Sequence, residues 1–384
     1  MSAAFLWALG IPAGSRLWVA ATPKDRIVVR AETRNQEWRS YRECSSNRRM
    51  DAALETLMLI FSAEEAVAVP DRALFLGASP HPDLCVWPQI TGWQPLKPLA
   101  AAWDSAGLPR SDNLPDGRWP LVLILPGKSR DETLAWFALA RDRLAPGGRI
   151  AVAMPNTAGA GRFEKELASA TGSVASLQKH KCRAFHAVDD GQWDEGRFNQ
   201  WRQWAYPRQI SGTSFTTCAG IFSSGHVDPG SQLLANHLPS NLSGAVADLG
   251  AGWGFLSAVA VARCPLIKRI DLFEADARAL ACARENLLSE RCELGFHWHD
   301  VTQGVAGPYD VILMNPPFHT GQVKDVDLGA AFLSCAVAAL RRGGRIFLVA
   351  NRQLPFEALL DAHGLNWRQV AEDPTYKLLF ARKR

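Results

Sequence analysis

What the 384-residue chain lacks narrows it first. None of its eight cysteines, at positions 44, 85, 182, 218, 264, 282, 292 and 335, belongs to a Cys-x-x-Cys pair, and no histidine cluster completes a zinc pattern. The expectation is reduced thiols, no metal and a cytoplasmic protein. The stretch from Met1 to Ala20 is apolar, but it has no basic leader segment and is interrupted at Gly10, Pro12, Gly14 and Arg16. Neither a signal peptide nor a membrane span is expected. Charge of one sign is scarce too. A formal net charge of +4 permits a nucleic-acid partner without announcing one.

Two familiar phosphate-binding patterns are also missing. Pro126-Gly-Lys-Ser129 ends like a phosphate loop, but the earlier glycine it needs would fall at Val122. A dinucleotide fingerprint starting at Gly250 would require its third glycine where Phe255 stands, which rejects a dehydrogenase.

What is present alternates. Ala73-Leu-Phe-Leu-Gly77 reads as a buried strand, and Trp119 to Leu125 as another. A helix around Thr133 to Leu144 leads through Pro146-Gly-Gly-Arg-Ile150 to a strand ending at Met154. Leu54, Leu57, Met58 and Phe61 predict a helix over Asp51 to Ala66. Alternating strands and helices argue for a parallel sheet covered on both faces. The phrases then recur: Val246-Ala-Asp-Leu-Gly250 answers Ala73 to Gly77, Val311 to Pro317 answers Leu121 to Gly127, and Arg342-Gly-Gly-Arg-Ile346 answers Pro146 to Ile150. This reads as a duplicated α/β domain, with chance likeness between two such domains as the alternative. Where the second copy has Asp248, Gly250, Gly252 and Gly254, the first has Phe75, Gly77, Ser79 and His81; where the second has Asn315-Pro316-Pro317, the first has Leu125-Pro126-Gly127. The degenerate copy is expected to bind no cofactor.

Two further stretches admit two readings each. Arg26, Arg30, Arg34, Arg39, Arg42, Arg48 and Arg49 suit a solvated surface or an RNA-facing patch. The stretch Gln192 to Tyr206, rich in tryptophan and arginine, is expected to pack between the domains, the alternative being base stacking. The expected organisation is 1–190 as the degenerate domain, 191–211 as a linker and 212–384 as the catalytic domain.

The chemistry concentrates in the second copy. Glycines 250, 252 and 254 let the backbone turn tightly from strand to helix and approach a ligand, and free N–H groups at the helix start can meet a carboxylate. An acid just before them, Asp248, suits a cationic amino group, as in S-adenosylmethionine. Glu274 ends the next strand, the usual place for an acid that binds ribose hydroxyls, with Asp276 as a substitute. Asp300, after Phe296-His-Trp-His, is a candidate acceptor for the adenine amino group.

Asn315-Pro-Pro-Phe318 follows an apolar strand, where open α/β sheets bind ligands. An exocyclic amine on a base is a poor nucleophile because its lone pair is delocalised. The Asn315 amide oxygen and the Pro316 carbonyl can accept its two N–H bonds and orient it toward a methyl donor. The prolines fix φ and so preorganise both acceptors. Phe318 can stack on a flipped base. His319 is a polar lining or a base contact.

With these residues in place, the chain resembles the bacterial ribosomal RNA guanine-N2 methyltransferases of the RsmC/RlmG type. The resemblance rests on Gly220-Ile-Phe-Ser-Ser-Gly225, Asp228-Pro-Gly-Ser-Gln-Leu-Leu234, Asp248 to Gly254, Asn315 to His319 and Gly343-Gly344, in family order. It is good over the C-terminal half and faint before it. It implies two tandem Rossmann-like class I methyltransferase domains, the first a cofactor-free copy implicated in RNA binding and folding. It further implies methyl transfer from S-adenosylmethionine, leaving S-adenosylhomocysteine, to guanine N2 of ribosomal RNA, in the small subunit. A monomer without a membrane partner is expected. Competing readings are a large-subunit enzyme, a protein glutamine-N5 methyltransferase, or a non-enzymatic RNA-binding assembly factor. A tyrosine at position 318 and a helical first domain would favour the protein substrate; an eroded cofactor loop would favour the assembly factor.

Overall fold

The computed structural model describes residues 17–21, 27–31, 51–62, 67–289, 291–317, 319–320, 323–324 and 326–384. Most of the arginine-rich stretch lies outside these. A short antiparallel pair, β1 (Leu17–Ala21) and β2 (Ile27–Ala31), precedes the main architecture.

Two seven-stranded sheets follow. The first contains β3 (Ala73–Leu76), β4 (Ile90–Trp93), β5 (Arg110–Ser111), β6 (Trp119–Ile124), β7 (Leu144–Pro155), β8 (Ala175–Lys179) and β9 (Cys182–Val188). After a small pair, β10 (Arg208–Gln209) and β11 (Thr216–Thr217), the second contains β12 (Ser243–Leu249), β13 (Leu266–Glu274), β14 (Glu293–Trp298), β15 (Tyr309–Met314), β18 (Leu340–Asn351), β19 (Asn366–Glu372) and β20 (Tyr376–Arg382). A small hairpin, β16 (His319–Thr320) and β17 (Val323–Lys324), interrupts it. Spatial order is β5-β4-β3-β6-β7-β9-β8 in the first and β14-β13-β12-β15-β18-β20-β19 in the second. Each therefore runs third, second, first, fourth, fifth, seventh, sixth. The first five strands of each are parallel, and the seventh pairs antiparallel with both the fifth and the sixth, so it alone runs against the rest.

Side-chain alternation explains the layers. In β15, Val311 and Leu313 enter the core on one face, while Ile312 and Met314 enter the other. Leu121 and Leu123 against Val122 and Ile124 do the same in β6. Apolar residues at every position are what a central parallel strand buried on both faces requires. The register also recurs: Gly77 and Ala78 donate their amides to the Trp93 carbonyl, as Gly250 and Ala251 donate to that of Phe273. In each domain the order reverses beside the first strand, and the crevice there opens at the carboxyl ends.

Three expectations are adjusted. The helix expected over Asp51 to Ala66 is Ala52–Met58 with a 3₁₀ turn at Leu59–Phe61; Asp51 caps it by accepting from Ala53 N, and 63–66 lie outside the described residues. The helix expected from Thr133 begins earlier, at Arg130, because Ser129 accepts the Glu132 amide as its cap. The stretch Gln192 to Tyr206 does not fill a gap between domains. Trp193, Phe198 and Trp201 are buried in the first domain's core, where Trp201 meets Phe137 at 5.8 Å between ring centroids. Helix Glu195–Arg202 presents Phe198 and Trp201 three residues apart, on one face, toward helix Arg130–Arg143.

Candidate active site

The turn after β12 runs into helix Phe255–Arg263, and its glycines divide the work. Gly250 (φ 73°) and Gly252 (φ 56°) line the crevice in the left-handed region, and a Cβ on Gly252 would meet nothing within 4 Å. Gly254 (φ 88°) instead lets two helices approach: a Cβ there would come within 3.1 Å of that of Ala283. It is a packing glycine behind the loop.

Asp248 sits at the carboxyl end of β12, 1% exposed. One carboxylate oxygen accepts from Ser257 Oγ at 2.7 Å, and the other, Oδ1, has no hydrogen-bond partner among the described residues. Burial pushes this carboxyl up to about 6 despite the serine. An orphaned buried acceptor is a standing cost that a bound ammonium group would relieve.

Glu274 ends β13 and reaches back to the glycine turn. Its Oε2 accepts Gly252 N at 2.7 Å and its Oε1 accepts Asp276 N at 2.8 Å. Desolvation pushes it up to about 7, opposed by those two amides. Each carboxylate oxygen keeps a second lone pair for a hydroxyl. Asp276, considered as a substitute for Glu274, is occupied otherwise: it caps helix Ala277–Asn286 and binds Arg278. Asp300 caps the turn Val301–Gln303, its Oδ1 accepting from Thr302 N at 3.0 Å and Thr302 Oγ1 at 2.7 Å. It is not among the described residues that line the crevice.

Asn315 follows β15 and is held in one orientation. Its Nδ2 donates to Asp228 Oδ2 and to Ser231 Oγ, both at 2.8 Å. A carboxylate can only accept, so the atom facing it must be the NH₂ group, and the amide oxygen is left turned away from both. Asp228 is itself fixed as the cap of helix Pro229–His237, accepting Ser231 N at 2.7 Å. Pro316 is buried next to it, and Phe318 lies outside the described residues. Asp228 and Ser231 carried no assigned role in the sequence. The cap signature Asp-Pro-x-Ser predicts their helix but not the asparagine 84 residues beyond Ser231.

Asn315, Asp228, Ser231, Gly250, Gly252 and Phe222 line a narrow crevice of about 40 Å³. A larger cavity of about 800 Å³ lies at the corresponding strand ends of the first domain, lined by Gly77, Gln94, Leu125 and Trp136 among others. No group of three or more metal-ligating side chains occurs among the described residues.

The family described as "Methyltransferase small domain" matches residues 212–380. The chain is 30% identical over 265 residues to the ribosomal RNA small subunit methyltransferase C of Psychromonas ingrahamii, covering 68% of this chain and 75% of that one. It is 28% identical over 276 residues to the protein of that name from Shewanella baltica, covering 71% and 79%. Among solved structures it is similar to a T. Thermophilus 16S rRNA N2 G1207 methyltransferase (RsmC) in complex with AdoMet and guanosine. That TM-score is 0.70 at 23% identity, over 96% of this chain and 98% of the other, and it supports the shared fold.

Proposed function

Because this chain belongs to the ribosomal RNA small subunit methyltransferase C family, we propose that it methylates the exocyclic N2 of a guanine in small-subunit 16S ribosomal RNA. The donor is S-adenosylmethionine, and the product S-adenosylhomocysteine. Bound at the glycine turn, the donor supplies a methyl group on a sulfonium centre. The chain's own residues do the rest. Asp248 Oδ1 receives the amino group, Glu274 the ribose hydroxyls, and Asp300 the adenine amine. Gly250 and Gly252 admit the ligand against their backbone.

The Asn315 oxygen and the Pro316 carbonyl accept the two N–H bonds of the guanine amine and aim its lone pair at the methyl carbon. As the new C–N bond formed and the methyl's C–S bond broke, its electron pair would stay on sulfur, and these two acceptors would stabilise the positive charge growing on nitrogen. One amine proton then leaves to water. Phe318 stacks on the base.

The observation that carries this reading is the fixed Asn315 amide, with both N–H bonds satisfied by Asp228 and Ser231 and its oxygen turned away from both. The same chemistry would serve a protein glutamine amide, but family membership favours RNA. We assign the catalytic domain to 212–384, count Gln192 to Tyr206 with the first domain, and expect a cytoplasmic monomer. No helix among the described residues is long and apolar enough to cross a membrane.

The test is transfer of labelled methyl to unmodified small subunits, large subunits, naked ribosomal RNA and a release-factor-like protein, with Asn315→Ala as control. Label mapping to a guanine N2 of 16S RNA is expected. Asn315→Ala should lower the rate roughly a hundred- to a thousand-fold with cofactor affinity retained. Label in protein alone would overturn the RNA substrate, and equal loss of transfer and cofactor binding would remove Asn315 from the chemistry.

A further inference from the structure

In the first domain β4 ends at Trp93, and Gln94-Pro95-Leu96-Lys97 leads into helix Lys97–Ser105. That short connection meets the other domain at the turn Glu274-Ala275-Asp276, at Ala277 just after it and at Trp298 beside it. Lys97 N donates to the Ala275 carbonyl at 2.8 Å and Ala277 N donates to the Pro95 carbonyl at 3.0 Å, so Leu96 and Asp276 pair as an antiparallel bridge. The Trp298 indole N–H is shared between the Pro95 carbonyl at 2.9 Å and the Ala275 carbonyl at 2.8 Å. Above that ring stand the Lys97 ammonium at 4.4 Å and the Arg110 guanidinium at 5.3 Å, both from the first domain.

A second attachment reaches the same turn from helix Arg130–Arg143. Glu132, buried, accepts from Arg278 at 2.5 Å, and Arg278 grips both carboxylate oxygens of Asp276 at 3.0 and 2.7 Å. Removing one member of such a buried set leaves an uncompensated charge, so its geometry is stiff. Asp276 N in turn donates to Glu274 Oε1, which links the clamp to the carboxylate.

We propose that the first domain is a positioning element of the catalytic site: Pro95–Lys97 and Glu132 fix the Glu274–Asp276 turn and thereby set affinity for the cofactor's ribose. This rests on the reading of Glu274 as the ribose acid. Two backbone hydrogen bonds, one shared indole N–H and one ion cluster converge on three residues. A carboxylate misplaced by about 1 Å loses the alignment that two hydroxyls require. The Lys97 backbone N–H, the Trp298 indole N–H, Glu132 and Arg278 act through Glu274 and need not touch the cofactor; the Lys97 ammonium is not part of the clamp.

The test compares Trp298→Phe, Lys97→Pro and Lys97→Ala with the natural full chain. Trp298→Phe removes the shared N–H and keeps a ring under the two cations. Lys97→Pro removes the N–H to Ala275 at the first position of a helix, where proline is tolerated, after Leu96 at φ −89°, ψ 116°, which suits a residue before proline. Lys97→Ala removes the ammonium and keeps the N–H. Binding of S-adenosylhomocysteine is read by calorimetry, hydrogen exchange of the Ala277 amide is followed in the ligand-free protein, and kcat is measured at saturating cofactor.

Trp298→Phe and Lys97→Pro should each weaken cofactor binding about two- to tenfold and speed Ala277 exchange. Their kcat and RNA KM should stay within about twofold, and Lys97→Ala should match the natural protein. Unchanged cofactor affinity in folded Trp298→Phe overturns the clamp, whatever Lys97→Pro does. Loss of affinity, kcat and thermal stability together, shared by Lys97→Ala, overturns it in favour of a merely structural contact. Failure of the natural protein to bind S-adenosylhomocysteine at all would overturn the underlying cofactor reading as well.

Discussion

The two halves of this chain keep the same backbone and part company at a handful of side chains. Strand order is shared, and so are the paired amide donations from the glycine turn to the second strand. Gln94 stands where Glu274 stands and repeats its bonding, its Oε1 accepting Leu96 N as Glu274 Oε1 accepts Asp276 N. On the other side the sense is inverted. Gln94 Nε2 donates to the Ala78 carbonyl, whereas Glu274 Oε2 accepts from Gly252.

Phe75 fills the place of Asp248, packed edge-on against Trp103, and Leu125 fills that of Asn315. Beside the first glycine, a Cβ on Gly77 would meet Trp136 at 2.8 Å, but one on Gly250 would meet Phe332 at 3.4 Å. A side chain is excluded at Gly77 by close packing, while Gly250 has more room. The larger cavity lies in the domain without the acids, so open space and chemistry are separable: strand ends make the hollow, and three or four side chains decide its use.

The most direct way to break the comparison is to give the second domain the first domain's residue. Glu274→Gln places an amide where Gly252 N must find an acceptor. Its NH₂ group would oppose that donor, and a flip would leave Asp276 N unmet instead. Cofactor affinity should fall roughly ten- to a hundredfold by isothermal titration, with transfer at saturating cofactor largely preserved. An unchanged dissociation constant would mean that the acid at this strand end holds no ribose.

A smaller effect tests the support of Asn315, which has no counterpart behind Leu125. Ser231→Ala removes one of the two acceptors that hold the Asn315 amide and leaves the Asp228 cap intact. We expect kcat to drop about three- to tenfold with cofactor affinity constant. A fall in cofactor affinity with kcat constant would place Ser231 on the ligand instead.

These particulars also show what the sequence could and could not convey. Apolar runs ending in Gly77, Gly250, Gly127 and Asn315 announced strands, turns and the duplication, because burial on both faces writes itself into consecutive residues. The glycine turn, Asp248, Glu274 and Asn315 were legible for the same reason: each closes a strand. Asp228 and Ser231 were not, since their bond to Asn315 spans more than 80 residues and leaves no periodic trace. The tryptophans near Trp201 were misplaced because aromatic content states that a stretch is buried without saying against what. Gln94 carried no signal in the sequence; only the shared register shows that it occupies the position equivalent to Glu274.

The smallest expected effect separates the domains by the sign of their response to pH. In the second domain, Asp248 and Glu274 titrate near 6 and 7 when folded, against about 4 in an unfolded chain. The folded form therefore holds protons that the unfolded form has released, and the stability this contributes is present below about pH 4 and lost as pH rises through 6 and 7. In the first domain neither acid exists, and burial beside Arg149 lowers His186 to about 4 from its usual 6.5. That group runs the other way: its contribution is present above 6.5 and lost as pH falls through 4. Glu132, also raised by burial, sits on the interface and belongs to both transitions. Between pH 5 and 7.5, calorimetry of the cofactor-free protein should show the second domain's transition falling while the first domain's holds or rises. The double variant Asp248→Asn, Glu274→Gln should flatten the second slope alone. Equal slopes before and after that substitution would show that these two carboxyls are ionised in the empty site, and that the first domain gained nothing in stability by giving them up.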